Sequence, residues 1–177
     1  YQRASLELTE EFAGKYARPM GHPDTAAKYH TLLGKELNAT FASPKGWYDA
    51  GDYGKYIVNS GISTYTLLQL YQHNKEYFKK LSLNIPESNN DVPDILDEIR
   101  WNLEWMLTMQ DPEDGGVFHK LTTKQFSGTV MPDRDTKPRF AIGKSNTATW
   151  NFVAVLALAS EIYKPYDSEF SKKNGKC

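Results

Sequence analysis

The segment GWYDAGDYGKYIVNSGISTYTLLQLY, residues 46–71, joins a polar turn to a long apolar helix. Its second half, from Lys55 to Tyr71, places apolar residues around most of the circumference of a helix. That distribution is typical of a helix buried on nearly all sides. Its first half holds Asp49 and Asp52 three residues apart around an Ala-Gly pair. Because glycine permits backbone conformations with positive φ, both carboxylates can point to one side.

Three further segments are predicted as helices from their apolar periodicity. They are Gln2–Tyr16, with an irregular stripe, Val92–Gln110, with Asp91 as its N-cap, and Ser145–Tyr163, followed by Pro165. The long connections between helices, 19–54 and 111–144, are rich in Gly, Pro, Asp, Asn and Thr. Connections of this length in a compact domain usually carry function.

The predicted elements favour a chain that is mainly α, with short strands expected only near 116–120 and around Phe140. A four-helix bundle would require shorter loops and narrower apolar stripes. The residues therefore predict helices stacked in layers, as a layered helical barrel or toroid, with a site built from loops at one end.

Composition excludes several classes of function. The 177 residues fit one domain, and 21 Lys and Arg nearly balance 22 Asp and Glu, so nothing favours nucleic acid or an anionic membrane. The longest nearly apolar run, Trp150–Ala159, is about half of what a bilayer requires, and we expect a soluble protein. The single cysteine, Cys177, allows neither an intrachain disulfide nor a cysteine-rich zinc site.

Two carboxylates on one side of a turn are what a hydrolase needs to hold and deprotonate a water molecule. On spacing alone, the commoner interpretation is that Asp52 is the N-cap of the helix that follows. The turn is surrounded by the aromatic residues Trp47, Tyr48 and Tyr53. These rings can stack on sugar faces or pack beneath the turn, and the sequence leaves both alternatives open.

The segment 46–56 resembles the amino-terminal active-site signature of glycoside hydrolase family nine, the inverting cellulases and related β-glucanases. The resemblance continues in order along essentially the whole chain. It is carried by Tyr1-Gln2-Arg3, Ala17-Arg18-Pro19 with His22, Gly46–Tyr56, Val92–Glu98, Trp105–Gln110, Gly115–Thr122 and Val130-Met131-Pro132.

This resemblance implies an (α/α)6 barrel with an open cleft at its loop end. Because only about four long helices are found here, residues 1–177 would be the N-terminal portion of a single catalytic domain. The expected fold class is therefore all-α, an incomplete (α/α)6 barrel. Taken alone, such a portion should bury its two-faced helices poorly.

The resemblance also assigns roles to individual residues. Asp52 would be the general base, Asp49 would help to hold the nucleophilic water, and His119 would contact the sugar. An inverting enzyme also needs a carboxylic acid about 6.5 to 9.5 Å from the base, on the other side of the bond. In the family this acid is a glutamate in a later part of the domain, so we expect the present chain by itself to hydrolyse little or nothing.

The resemblance does not extend to a metal site. Some family members hold a structural metal through cysteine and histidine near the amino terminus, whereas the aligned positions here are Ala4 and Gly21, which leaves only His22. One imidazole does not hold zinc. Residues 111–116 contain oxygen ligands of the calcium type but lack the spacing of a known loop and are interpreted as a turn. No cofactor is expected, although a structural calcium elsewhere in the complete domain is compatible with the family.

The sequence hypothesis is thus hydrolysis of β-1,4-glucosidic bonds in cellulose, cello-oligosaccharides or a related β-glucan, by internal cleavage. Family membership would place the protein outside the cell or in the periplasm. One alternative is a non-catalytic glucan-binding or structural helical module that keeps the turn as a cap. A helical-toroid enzyme such as an isoprenoid cyclase is a further alternative, which the polar and aromatic loops disfavour.

Overall fold

The computed structural model of the chain describes residues 2–35 and 38–176, so that Tyr1 of the first family segment and Cys177 lie outside the described residues. Its helices are α1 (Glu10–Ala13), α2 (Ile57–His73), α3 (Lys75–Phe78), α4 (Asp94–Thr108), α5 (Asn146–Tyr163) and α6 (Ser168–Asn174). Its strands are β1 (Ala27–Tyr29), β2 (Thr40–Phe41), β3 (Lys55–Tyr56), β4 (Phe118–Thr122) and β5 (Phe140–Lys144). Single 3₁₀ turns occupy Gly14–Tyr16 and Thr31–Leu33.

The five strands form one sheet in the order β2-β1-β5-β4-β3. Strands β1 and β5 run parallel, and the other neighbouring pairs run antiparallel. The prediction of an all-α chain forming an incomplete (α/α)6 barrel is therefore wrong, because the chain combines helices with a mixed sheet. The strands are two to five residues long, too short for an alternating pattern to stand out from the polar connections around them.

Three of the predicted helices are confirmed, with ends that differ by one or two residues. Ser145 caps α5 by accepting a hydrogen bond from the backbone of Ala148. Helix α4 begins at Asp94 after Pro93, so the prediction that Asp91 is its N-cap is wrong. Lys55 lies before α2, in strand β3.

The predicted helix Gln2–Tyr16 is wrong, since only α1 and a 3₁₀ turn form within it. Arg3 instead makes a β-bridge with Trp47. The buried guanidinium of Arg3 lies 3.0 Å from Glu87 and 2.9 Å from Glu98. These partners are distant in sequence, and their ion pairs hold the first residues of the chain in an extended path against the Asp49–Gly54 turn.

The core lies where α4 and α5 pack against α2, and where α2 and α5 pack against β4. Its fully buried members include Leu68, Leu96, Leu103, Trp105, Phe118, Leu121, Phe152 and Leu156. This packing fixes the start of α2 beside strands β3 and β4. Within the described part of the chain, no helix combines the length and apolar character that crossing a bilayer would demand.

Helices α2 and α5 each bury one side and expose the other. On α2, Ile62 and Leu70 are exposed, and on α5 Trp150 is 73% exposed. The wide apolar stripes of these helices are therefore only partly covered in this chain. The exposed sides face away from the core residues on the same two helices.

Candidate active site at the Asp49–Gly54 turn

The turn is closed by its own backbone. The amide of Asp49 donates to the carbonyl of Gly54 over 2.8 Å, and the amide of Tyr53 donates to the carbonyl of Ala50 over 3.0 Å. Tyr53 has a φ of +54°, in the left-handed region, which costs a residue other than glycine about 1 kcal/mol. This conformation places the side chains of Asp52 and Tyr53 on different sides of the turn.

Asp52 is partly exposed, and both of its carboxylate oxygens accept hydrogen bonds. The backbone amide of Gly54 donates to Oδ1 over 3.0 Å, and the hydroxyl of Tyr56 donates to Oδ2 over 3.0 Å. The N-cap of α2 is Tyr56, and no side chain caps that helix. The interpretation of Asp52 as an N-cap is therefore wrong, and its carboxylate bonds instead to Gly54 and Tyr56 at the surface of the turn.

Asp49 is exposed and is held by a different residue. The side-chain amide of Asn59, in the first turn of α2, donates to Oδ1 of Asp49 over 2.9 Å. Asp49 lines a depression of about 430 Å³, and Asp52 lines a neighbouring one of about 450 Å³. Tyr56 lines both depressions, so the two carboxylates open onto adjoining spaces on either side of its ring.

The three aromatic residues named from the sequence lie in two different environments. Trp47 lines the depression beside Asp49, and its indole N–H donates to Glu98 over 2.8 Å. Tyr48 is buried, and its ring contacts that of Tyr53 with centroids 5.1 Å apart. The hydroxyl of Tyr53 donates to a backbone carbonyl of the 130s loop. Tyr48 and Tyr53 thus pack beneath the turn, while Trp47 has a face available to a ligand.

His119 lies on β4, half-buried, with its ring edge-on to that of Tyr56 at a centroid distance of 6.4 Å. Strand pairing sets this position, because Tyr56 on β3 is directly opposite Lys120 on β4. The ammonium of Lys120 lies 5.1 Å from the centroid of the Tyr56 ring. The structure therefore brings His119 into the neighbourhood of Asp52 through Tyr56.

A cluster of buried charges lies beneath the turn. The ammonium of Lys55 is 2.9 Å from Asp24 and also donates to two backbone carbonyls, those of residues 43 and 45, each over 2.8 Å. Asp24 also pairs with Arg139 at 3.3 Å. Arg139 in turn donates to the carbonyl of Tyr53 over 2.6 Å. Burial lowers the pKa of the Lys55 ammonium to about 8, with Asp24 acting in the opposite direction.

His22, the histidine that remains at the positions of the family's metal site, lies close to this cluster of buried charges. Its Nδ1 is hydrogen-bonded to the hydroxyl of Tyr48 at 2.8 Å, and its Nε2 lies 3.5 Å from Asp135. Burial, and secondarily the charge of Arg139, lower the pKa of His22 to about 4. The imidazole is therefore neutral at pH 7. Across residues 2–35 and 38–176, no three His, Cys, Asp or Glu side chains are grouped so as to hold a metal ion.

The 111–116 segment forms a turn closed by lysines. Lys35 and Lys144 both pair with the carboxylate of Asp111. Although burial opposes ionisation, hydrogen bonds from these two lysines hold the pKa of Asp111 at about 2. The oxygen ligands that the sequence offered to a cation are thus bound to ammonium groups of the chain itself.

Sequence reasoning missed the residues that hold the two aspartates. In the sequence, Tyr56 is only the last residue of the segment 46–56 that carries the resemblance, and Asn59 lies outside that segment. A usable signal was present, since Asn59 is a polar residue in the first turn of an otherwise apolar helix. The pairing of Asp24 with Lys55 and Arg139 had no such local signal, because its members come from three separate segments.

Comparison with known proteins agrees with the resemblance. The family model of "Glycosyl hydrolase family 9" matches residues 1–176. The xyloglucan-specific endo-beta-1,4-glucanase BoGH9A of Bacteroides ovatus is 47% identical over 173 residues, which are 96% of this chain and 30% of that protein.

Solved structures agree as well. One described as Bacteroides ovatus GH9 superimposes with a TM-score of 0.96 at 46% identity, over 99% of this chain and 33% of that one. AaCel9A, solved in complex with cellobiose-like isofagomine, gives a TM-score of 0.90 at 32% identity, over 99% of this chain and 33% of that one. The chain thus spans about a third of the length of the relatives that it matches.

Proposed function

Since the chain belongs to glycosyl hydrolase family 9, we propose that it carries the water-activating half of an active site that hydrolyses β-1,4-glucosidic bonds. We further propose that residues 1–177 are the N-terminal portion of one catalytic domain. The observation that supports this most directly is the state of Asp52, a partly exposed carboxylate held through both oxygens at the edge of an open depression.

Asp52 is the proposed general base and Asp49 the residue that helps to hold the attacking water. A carboxylate can take a proton from water only when it lies within hydrogen-bonding reach and keeps its orientation. Asp52 satisfies the second condition through Gly54 and Tyr56, and Asp49 satisfies it through Asn59. The two carboxylates differ in their partners and exposure, which is consistent with two different roles.

The proposed reaction proceeds with inversion at the anomeric carbon. Inversion needs an acid on the far side of the scissile bond, with about 6.5 to 9.5 Å between the two carboxyl groups. Asp49 and Asp52 share one short turn and can supply only the side that activates water. We therefore assign the acid to a glutamate outside these 177 residues, and we propose that the isolated chain is inactive or nearly so.

The proposed substrate is a β-1,4-glucan or a cello-oligosaccharide. Trp47 offers a flat apolar face to a glucose ring, with its N–H already bound to Glu98. His119 is proposed to contact the sugar near the cleaved bond. Tyr48 and Tyr53 support the turn from below through their packing. We propose an extracellular or periplasmic location, where such polysaccharides are accessible.

The experiment that tests this proposal is Asp52→Asn in the full-length natural protein. Hydrolysis of cello-oligosaccharides and of xyloglucan should fall by about 10²-fold to 10⁴-fold, the usual contribution of a general base, while oligosaccharide binding changes little. Asp49→Asn should cause a smaller loss. NMR of the first-formed anomer reports the stereochemistry, and Asp91→Asn, at an exposed loop position, is the matched control.

An Asp52→Asn protein that keeps a tenth or more of the native rate would refute the assignment of the base. If the native protein binds glucan but hydrolyses none, the chain belongs to a non-catalytic glucan-binding module instead. Retention of configuration in the product would overturn the inverting mechanism while leaving the family assignment intact.

A further inference from the structure

Tyr56 connects the proposed base to the sheet. Its hydroxyl donates to Oδ2 of Asp52 over 3.0 Å, and the hydroxyl of Thr122 on β4 lies beside it. Thr122 is buried but borders the same depression as Tyr56 and Asp52. The phenol thus joins strand β3 to the carboxylate through one hydrogen bond.

The backbone around Tyr56 is built to allow this contact. A Cβ atom at Gly54 would lie 2.5 Å from Cε2 of Tyr56 and 3.2 Å from Oδ2 of Asp52. Any larger residue at position 54 would therefore displace the ring, the carboxylate or both. The absence of a side chain at Gly54 allows the Tyr56 ring and the Asp52 carboxylate to approach each other. The backbone amide of Gly54 is also the donor to Oδ1 of Asp52.

The ring itself is held by strand pairing. Tyr56 lies opposite Lys120 in the antiparallel β3–β4 pair, and Thr122 is two residues further along β4, on the same side of the sheet. The Lys120 ammonium, 5.1 Å from the ring centroid, and the edge-on ring of His119 border it. The phenol is thus fixed before any substrate arrives, which is the condition for preorganised positioning.

The electrostatic surroundings keep the phenol protonated. Burial, followed by the hydrogen bond to Asp52 and the charges of Asp52 and Asp49, raises the pKa of Tyr56 above its usual value, while the Thr122 hydroxyl acts in the opposite direction. The phenol is therefore a hydrogen-bond donor to Asp52 throughout the neutral range. The titratable and charged groups that face this pair from neighbouring elements are Asp49, His119, Lys120, His30 and Lys124.

We infer that Tyr56, with Thr122 beside it, is a positioning residue that fixes the orientation of the Asp52 carboxylate. This inference rests on the proposed function, in which Asp52 is the base. Removing the phenolic hydroxyl leaves Oδ2 without its donor, so the carboxylate turns more freely. A ring that served only as packing would not have this effect when its hydroxyl is removed.

The experiment compares Tyr56→Phe, Thr122→Val and the double variant in the full-length natural protein, with cello-oligosaccharide as the substrate. Tyr56→Phe keeps the ring and its packing. Its kcat should fall about tenfold with KM changed less than about twofold, since a hydrogen bond to a charged group is lost without loss of sugar contacts.

Thr122→Val should cause a smaller change in the same direction. Because Thr122 is expected to act through the phenol, it should have almost no further effect in the Tyr56→Phe background, and this non-additivity is the signature of coupling between the two residues. Tyr65→Phe is the matched control, since it removes the hydroxyl of an exposed tyrosine on α2, the helix that follows Tyr56. Its kcat and KM should be those of the native protein.

The inference is overturned if Tyr56→Phe has the native kcat while Asp52→Asn is inactive. If Asp52→Asn retains hydrolysis, the proposed function fails instead, and the two failures are thereby distinguished. Fully additive effects of Tyr56→Phe and Thr122→Val would remove Thr122 from the mechanism. Should Tyr56→Phe not fold, the kcat of Thr122→Val alone decides, with a native kcat refuting the inference.

Discussion

Replacing Asp24 by Asn is expected to destabilise the protein strongly, because Asp24 is the carboxylate between two buried cations. Its oxygens lie 2.9 Å from the Lys55 ammonium and 3.3 Å from the Arg139 guanidinium, and all three side chains are at most 5% exposed. Asn has nearly the same shape, and Asp24 has a φ of +47°, a conformation that Asn tolerates well. The substitution therefore removes charge without straining the backbone.

The magnitude follows from the loss of one partner of a buried pair, which costs about 3 to 5 kcal/mol. Lys55 limits this cost, because burial has already lowered its pKa from the usual 10.5 to about 8. Without Asp24 that pKa falls further, so Lys55 can release its proton instead of remaining charged and unpaired. We expect a loss of about 3 kcal/mol in the free energy of unfolding at pH 6.

The experiment tests how this loss of stability depends on pH. When the pKa of a lysine is lower in the folded state than in the unfolded state, the unfolded state binds more protons, and the free energy of unfolding rises with pH. The difference between the native protein and Asp24→Asn should therefore shrink from pH 6 to pH 9, as Lys55 becomes neutral in both. Urea unfolding at the two pH values measures it, with Asp91→Asn expected within about 0.5 kcal/mol of native. A loss below about 1 kcal/mol that is the same at both pH values would refute the reasoning.

Two further predictions concern the same framework. His22→Asn should reduce the acid sensitivity of the protein. The pKa of His22 is lowered from 6.5 to about 4, so the native protein loses stability as the pH falls between these values. In urea unfolding over that range, the loss of free energy should be smaller in the variant than in the native protein by about 2 to 3 kcal/mol. Gly61→Ala should lower the free energy of unfolding by about 1 to 2 kcal/mol despite the better helix propensity of Ala, since the added Cβ would lie 1.6 Å from Oδ1 of Asn151 on α5. Gly51→Ala is the control, because there is open space around Gly51, and its free energy of unfolding should be within about 0.5 kcal/mol of native.

The local features of the sequence determined the long helices and the family. The apolar periodicity of α2, α4 and α5 extends over 15 to 18 residues, long enough for the helical period to be read without knowledge of the fold. The Asp49–Gly54 turn could be located because its glycines and carboxylates are contiguous. The resemblance carried by residues 46–56, and by the segments around it, is sufficient to identify the family.

The sheet could not be obtained in this way. Strands β2 and β3 are two residues long, and each exists only because a partner from another part of the chain supplies its hydrogen bonds. The predicted helix Gln2–Tyr16 failed for a related reason, since Arg3 finds Trp47, Glu87 and Glu98 in three distant segments. Such pairings outweigh local helix propensity, which contributes only tenths of a kcal/mol per residue.

In the candidate site, too, some features follow from the local sequence and others only from the tertiary structure. From its sequence alone, the chain predicts Asp49 and Asp52 as a pair of carboxylates, because both lie in one short turn. Which residues hold them, and which rings lie beneath them, was decided by tertiary structure: Tyr56 and Thr122 meet across two strands, and Asp24 gathers its cations from separate loops. Proximity in space between residues far apart in sequence is created by packing and strand pairing, and no local pattern encodes it.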